Sequence, residues 1–223
     1  MIIKVCGMRD PENIRAVEQA GPDWRGFIFW PGSKRYVAAP PAYLPTACKR
    51  VGVFVDATLD DILLRVQQCR LDLVQLHGHE SPVFCRQLKT ALRTTSLIKS
   101  IGIATAEDLR VTADYADVAD YFLFDTKSPQ YGGTGQRFDW NILAAYEGTT
   151  PFLLSGGIDS SDLPRLGEWF RGGSASGAAK CIGIDLNSRF EKAPGIKDAA
   201  LLRIFIYRRR YQPDWNHTSP FLP

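Results

Sequence analysis

Two apolar rhythms alternate along this chain. Short apolar runs with strand-like spacing give way to longer stretches whose apolar residues fall three or four apart. The first run, Ile2-Ile3-Lys4-Val5-Cys6, is followed at once by Gly7. Strand alternation puts Ile3 and Val5 on one face and Ile2, Lys4 and Cys6 on the other. Similar runs predict strands at 26–29, 51–55, 73–77, 97–101, 121–125, 152–154 and 181–185. Between them, helical periods and caps predict helices. Asp10-Pro11-Glu12 starts one: a capping side chain, proline in the first turn and an acid at the positive end. A short helix is expected at 42–47, then longer ones at 59–69, from Ser81-Pro82 with Val83, Leu88 and Leu92 as its stripe, and at 106–116, 140–146, 162–170 and 196–208.

Regular alternation of eight strands and eight helices implies an α/β protein with a parallel sheet buried on both faces. Eight units favour a closed (βα)8 TIM barrel over an open doubly wound sheet. The expected organisation is one barrel domain over residues 1–207, with a basic and aromatic tail at 208–223 that has no fold of its own.

Composition narrows this further. The chain has 223 residues, of which 45% are hydrophobic and 23% charged, with a formal net charge of +3. That balance does not suggest a nucleic-acid partner. Five scattered cysteines without a C-x-x-C fit reduced thiols, and the expected location is cytoplasmic. No apolar run is long enough to suggest a membrane span.

In a barrel the carboxyl ends of the strands converge on one mouth. Those ends carry Cys6-Gly7, the loop with Arg35, His77-Gly78, Asp125-Thr126, Ser155-Gly156-Gly157 and Asp185. Gly156 and Gly157 can turn backbone N–H groups toward an anion, or simply make a tight turn. A phosphate site at the loops after strands seven and eight would add Asp185, Asn187 and Ser188. Asp125 shares a strand face with Leu123 and Tyr121, so burial would favour its protonated form, although it could equally serve as a cap. Cys6 is either a small buried hydrophobe or a base, and Arg35 either a solvated loop residue or a carboxylate clamp. His77 reads as a satisfied strand-end histidine. No clustered His/Asp/Glu set favours metal chemistry.

Lys4-Val5-Cys6-Gly7, Ser33-Lys34-Arg35-Tyr36-Val37, Val74-Gln75-Leu76-His77-Gly78, Phe124-Asp125-Thr126, Gly132-Gly133-Thr134-Gly135, Phe138-Asp139-Trp140 and Leu154-Ser155-Gly156-Gly157-Ile158 together resemble the phosphoribosylanthranilate isomerase family of tryptophan biosynthesis. The likeness runs in order from residue 1 to about residue 200. It implies a (βα)8 barrel and an Amadori rearrangement of N-(5-phosphoribosyl)anthranilate to 1-(2-carboxyphenylamino)-1-deoxyribulose 5-phosphate, with no metal or cofactor. By matching position it implies Cys6 as general base, Asp125 as general acid, Arg35 on the anthranilate carboxylate, and phosphate held at Gly156-Gly157 and from Asp185 to Ser188. The partner is then a small phosphosugar, and the enzyme a monomer or homodimer.

The likeness breaks at Arg189-Phe190, where the family has a smaller turn with glycine at the first position. A left-handed turn would be strained by a Cβ there, and Arg189 is expected to add a cation near the phosphate. Two alternatives stand beside the isomerase. One is a related aminoaldose isomerase of histidine biosynthesis, which Cys6 disfavours because an aspartate suits that base position better. The other is a phosphate-binding barrel without turnover. Lys4 should lie beneath the site and favour the Cys6 thiolate.

Overall fold

The computed structural model describes residues 1–127 and 138–211, and its core is a closed barrel of eight parallel strands in chain order. They are β1 (Ile2–Val5), β2 (Trp24–Ile28), β3 (Lys49–Phe54), β4 (Leu73–Leu76), β5 (Ser96–Ile103), β6 (Tyr121–Thr126), β7 (Phe152–Leu154) and β8 (Cys181–Leu186). The ring closes where β1 pairs with β8, setting Lys4 opposite Asp185 and Val5 opposite Leu186.

The outer face of the strands and the surrounding helices bury the larger apolar cluster, which includes Ile3, Val5, Phe27, Leu76, Phe122, Phe124 and Phe152. Inside the ring, a smaller cluster of Cys6, Trp24, Val51, Val53, Leu73, Ile98, Leu123 and Leu153 fills the barrel. Between β7 and β8 the register slips: Phe152 pairs with Cys181 but Leu153 pairs with Gly183. The extra residue on β8 restores the inward phase two positions later, so Asp185 points into the barrel beside Lys4.

The helices follow from their caps and stripes. In α1 (Pro11–Glu18) the Asp10 carboxylate accepts from the Asn13 amide at 2.7 Å, and Ile14 and Val17 are buried. Thr58 caps α2 (Leu59–Cys69) and Ser81 caps α3 (Pro82–Leu92). In α3 the core face is Cys85, Leu88 and Leu92, whereas Val83 is exposed. Leu88 and Leu92 take their expected places, and Cys85 replaces Val83 as the third member of the stripe, because cysteine serves here as a core residue.

The expected helix at 42–47 is absent. Prolines at 40, 41 and 45 remove amide donors, and the Glu18 carboxylate accepts from Thr46 N and Ala47 N at 2.9 Å and also from the Tyr43 hydroxyl. The helices after β5 and β6 are 3-10 helices, Ala106–Tyr115 and Trp140–Ala145, while α4 (Leu163–Arg171) returns to the α form. The glycine-rich segment 132–135 lies outside the described residues.

The region after β8 also departs from the expected pattern. Residues 191–193 and 196–197 form an antiparallel pair, β9 (Glu191–Ala193) and β10 (Ile196–Lys197), turning at Gly195 with φ +83°. The last helix, α5, starts at Ala199 and runs to Tyr211. Asn13 holds Lys197 extended, its amide donating to Lys197 O and its carbonyl accepting from Lys197 N, both at 2.8 Å. Asp198 then caps α5 through the Leu201 amide at 3.0 Å. An extended residue fixed by two hydrogen bonds cannot also be the first turn of a helix.

Phe190 is fully buried and meets Phe205 of α5 edge to face, with ring centroids 5.0 Å apart. Its bulk thus anchors the loop after β8 onto the last helix. Phe190→Ala should lower the free energy of unfolding by about 3–5 kcal/mol, measured by urea denaturation. A loss below about 1 kcal/mol would show that this packing is dispensable.

Candidate active site

The carboxyl ends of the strands enclose one cavity of about 1110 Å³. Cys6, Arg35, Asp125, Gly156, Gly157, Asp185, Asn187 and Ser188 all line it, as do Gln75 and His77. All the site residues anticipated from the chain are therefore brought to the same mouth.

Cys6 follows β1 and is buried; its amide donates to Leu186 O at 2.9 Å. Gly26 faces it from β2, where any Cβ would run into the Cys6 sulfur. Directly below, the fully buried Lys4 ammonium reaches Asp185 Oδ1 at 2.9 Å. Burial opposes the Lys4 charge, but Asp185 and Cys6 outweigh it and leave the lysine above its ordinary range. For Cys6 the balance runs the other way. Burial pushes the thiol up, and although Lys4 and Lys197 pull it down, it stays above the ordinary thiol range.

Asp125 ends β6, three strands round the ring from β1 through β7 and β8. Burial raises its carboxyl above the ordinary range, against hydrogen bonds from the Thr126 amide, at 2.8 Å, and from Ser155. Asp125 is therefore suited to hold a proton, whereas Cys6 relies on neighbouring cations to lose one. His77 Nε2 lies 3.7 Å from Asp125 Oδ2. Burial, then Lys4 and Lys99, push His77 down to about 4, so it is neutral at pH 7. Gln75 Nε2 sits 3.0 Å from both His77 Nδ1 and Ser100 Oγ, an amide strut beneath the ring.

Gly156 and Gly157 both take positive φ, +97° and +66°. A Cβ on Gly156 would collide with the Thr126 hydroxyl. Two successive residues at positive φ make a turn of a kind whose backbone amides can hold an anion. On the neighbouring strand, the loop after β8 forms a 3-10 turn, Ser188–Phe190. The only non-glycine residues with positive φ among those described are Asp56, Arg70 and Arg93. Arg189 therefore meets no left-handed strain, and the turn forms without the glycine usual there.

Arg35 crosses over Gly7, which has φ +78° and whose missing Cβ leaves room for the arginine stem. Its guanidinium is paired within the protein: Nε donates to Glu191 Oε1 at 2.8 Å and Nη2 to Oε2 at 2.6 Å. Lys197, fully buried, also donates to Glu191 Oε1 at 2.7 Å and to Asn187 Oδ1 at 2.7 Å. Burial pulls Lys197 down to about 8 despite Glu191. Glu191 and Lys197 were not anticipated as site residues, because they reach the mouth only through the β9–β10 hairpin. Among the described residues no His/Cys/Asp/Glu group could hold a metal ion, and no helix is long and apolar enough to cross a membrane.

The Lys4 contact sets a measurable expectation. The pH midpoint for Cys6 alkylation, followed peptide by peptide by mass spectrometry, should lie above the ordinary thiol range and move higher still in Lys4→Met. An unchanged midpoint would show that Lys4 does not act on the thiol.

The family model of N-(5'-phosphoribosyl)anthranilate isomerase matches residues 3–208. A relative of that name from Phocaeicola vulgatus is 53% identical over 206 residues, covering 92% of this chain and 96% of the relative. Among solved structures, the phosphoribosyl anthranilate isomerase from Thermus thermophilus superposes with a TM-score of 0.77 at 28% identity, covering 94% of this chain and 98% of that one. A second isomerase structure, in complex with reduced 1-(o-carboxyphenylamino)-1-deoxyribulose 5-phosphate, gives 0.72 at 29% identity, with coverages of 93% and 97%. With motifs, barrel and relatives in agreement over nearly its whole length, the chain belongs to the N-(5'-phosphoribosyl)anthranilate isomerase family.

Proposed function

We infer that this enzyme catalyses its family's reaction, the Amadori rearrangement of N-(5-phosphoribosyl)anthranilate in tryptophan biosynthesis, with Cys6 as base and Asp125 as acid. The observation that carries the assignment of roles is the convergence of Cys6 and Asp125, from β1 and β6, on one cavity that also holds a carboxylate-binding cation and an anion cradle.

The chemistry follows from these positions. Asp125 gives its proton to the furanose ring oxygen as the amine lone pair opens the ring to a Schiff base. Cys6 thiolate then takes the proton from sugar C2, and the resulting enolamine tautomerises to the ketone. Burial raises the Asp125 carboxyl, the direction an acid requires. The same burial disfavours the thiolate, and Lys4 and Lys197 pull the thiol back part of the way.

The ends of the substrate match the rest of the mouth. The Gly156-Gly157 cradle, with the Asn187-Ser188 turn on the neighbouring strand, receives the phosphate dianion. Asp185 does not contribute a carboxylate to that anion; its oxygen is taken by Lys4, so its part is to hold the lysine in place. Arg35 receives the anthranilate carboxylate. The bound product analogue in the related structure has the same two termini, a carboxyphenyl group and a 5-phosphate.

Consumption of the substrate removes anthranilate-type fluorescence, which provides the assay. Cys6→Ala and Asp125→Asn should each lower kcat by about 10²- to 10⁴-fold with the far-ultraviolet circular dichroism unchanged. Turnover within about tenfold of the native enzyme in either variant would remove that residue from its role.

A further inference from the structure

Two of the five donors of the Arg35 guanidinium are already used inside the protein. Glu191 takes the side-on edge, Nε and one Nη2 hydrogen. What Glu191 does not use is the end-on edge, the pair of N–H groups shared between Nη1 and Nη2. A guanidinium carries five donors in a rigid plane, and each edge can hold one carboxylate in a bidentate pair.

Glu191 would by itself neutralise Arg35 and weaken its pull on a substrate anion. The buried Lys197 prevents this. Its ammonium donates to Glu191 Oε1, to Asn187 Oδ1 at 2.7 Å and to Asn187 O at 3.2 Å. Two cations and one carboxylate leave the group with one net positive charge. Glu191 is further fixed by the Gly195 amide at 3.1 Å, and Lys197 by Asn13 through its backbone. The Glu191 carboxylate is thus held by the β9–β10 hairpin, by Lys197 and by Arg35 together.

We propose that Glu191 is a positioning residue for substrate recognition: it grips the side-on edge of Arg35 so that the end-on edge is presented to the aryl carboxylate of the substrate, while Lys197 keeps the cluster cationic. This rests on the assignment of Arg35 to that carboxylate. It makes the carboxylate subsite a four-residue device of Arg35, Glu191, Lys197 and Asn187, built across the loop after β2 and the loop after β8. Asn187 also belongs to the turn beside the phosphate cradle, so one residue borders the subsites for both ends of the substrate.

The test compares two substrates, N-(5-phosphoribosyl)anthranilate and N-(5-phosphoribosyl)aniline, which lacks only the carboxylate. Turnover is read by chromatographic separation of the ketose product. Arg35→Met should raise KM for the carboxylated substrate and leave that for the aniline analogue within about twofold. If both values move alike, the assignment of Arg35 itself fails. Given that discrimination, Glu191→Gln and Glu191→Ala should raise KM for the anthranilate substrate by about 10- to 30-fold, with kcat falling less than about threefold. KM for the aniline analogue should barely change. In the Arg35→Met background, Glu191→Gln should add no further loss. If Glu191→Ala leaves KM for the anthranilate substrate unchanged, or raises KM for both substrates equally, the positioning role is overturned while Arg35 keeps its own. Thermal melts of each variant show whether a loss comes from unfolding, and the two-substrate ratio remains readable in any variant that folds.

Discussion

The barrel closes by placing a charge where water cannot reach it. Lys4 and Asp185 meet at the seam between β1 and β8, both buried and 2.9 Å apart. Neither group could sit inside the ring alone, since an unpaired charge there would cost several kcal/mol. The pair requires that β8 arrive in the register that turns Asp185 inward, and the slip between β7 and β8 provides that phase. Seam, bulge and ion pair are therefore one constraint, and Cys6 rests directly on it.

The electrostatics of the mouth follow from that floor. Burial raises the Asp125 carboxyl and the Cys6 thiol together, favouring the proton-bearing form of each. For the thiol this is opposed from below by Lys4 and from the side by Lys197. The barrel carries two buried lysines near the Cys6 thiol, and each is held by a carboxylate, Asp185 or Glu191, so that neither is itself stranded. His77, driven down to about 4, adds no competing cation.

Much of this arrangement was legible before any coordinates. Strand ends locate Cys6, Asp125 and Gly156-Gly157 because parallel strands of a barrel expose the same end to the same mouth. Lys4 was legible from simple alternation, two residues before Cys6. Glu191 and Lys197 were not. The apolar spacing over 196–208 reads as one continuous helix, and only the paired hydrogen bonds from Asn13, distant in sequence, keep Lys197 extended. The missing helix at 42–47 failed for a similar reason, since a carboxylate on α1 satisfies amides that a local reading would hand to a helical turn. Cys85 in place of Val83 in the core of α3 shows a smaller ambiguity, a cysteine acting as an ordinary hydrophobe. What escaped was in each case decided by long-range partners or by a residue of two characters.

The Asn13–Lys197 clasp also has a bearing on how the molecule comes into being. It joins the first helix to the last hairpin across 184 positions, and the Lys4–Asp185 bond spans 181. Contacts this remote in sequence are late contacts, because a long loop must close before they are rewarded. On a ribosome, β1 emerges with a lysine that has no counter-charge until nearly the whole barrel has followed it. Completion of the mouth is thus deferred: a nascent chain can wrap most of its sheet and still lack both the ion pair beneath Cys6 and the carboxylate that grips Arg35. Both arrive together, when β8 and the hairpin after it dock.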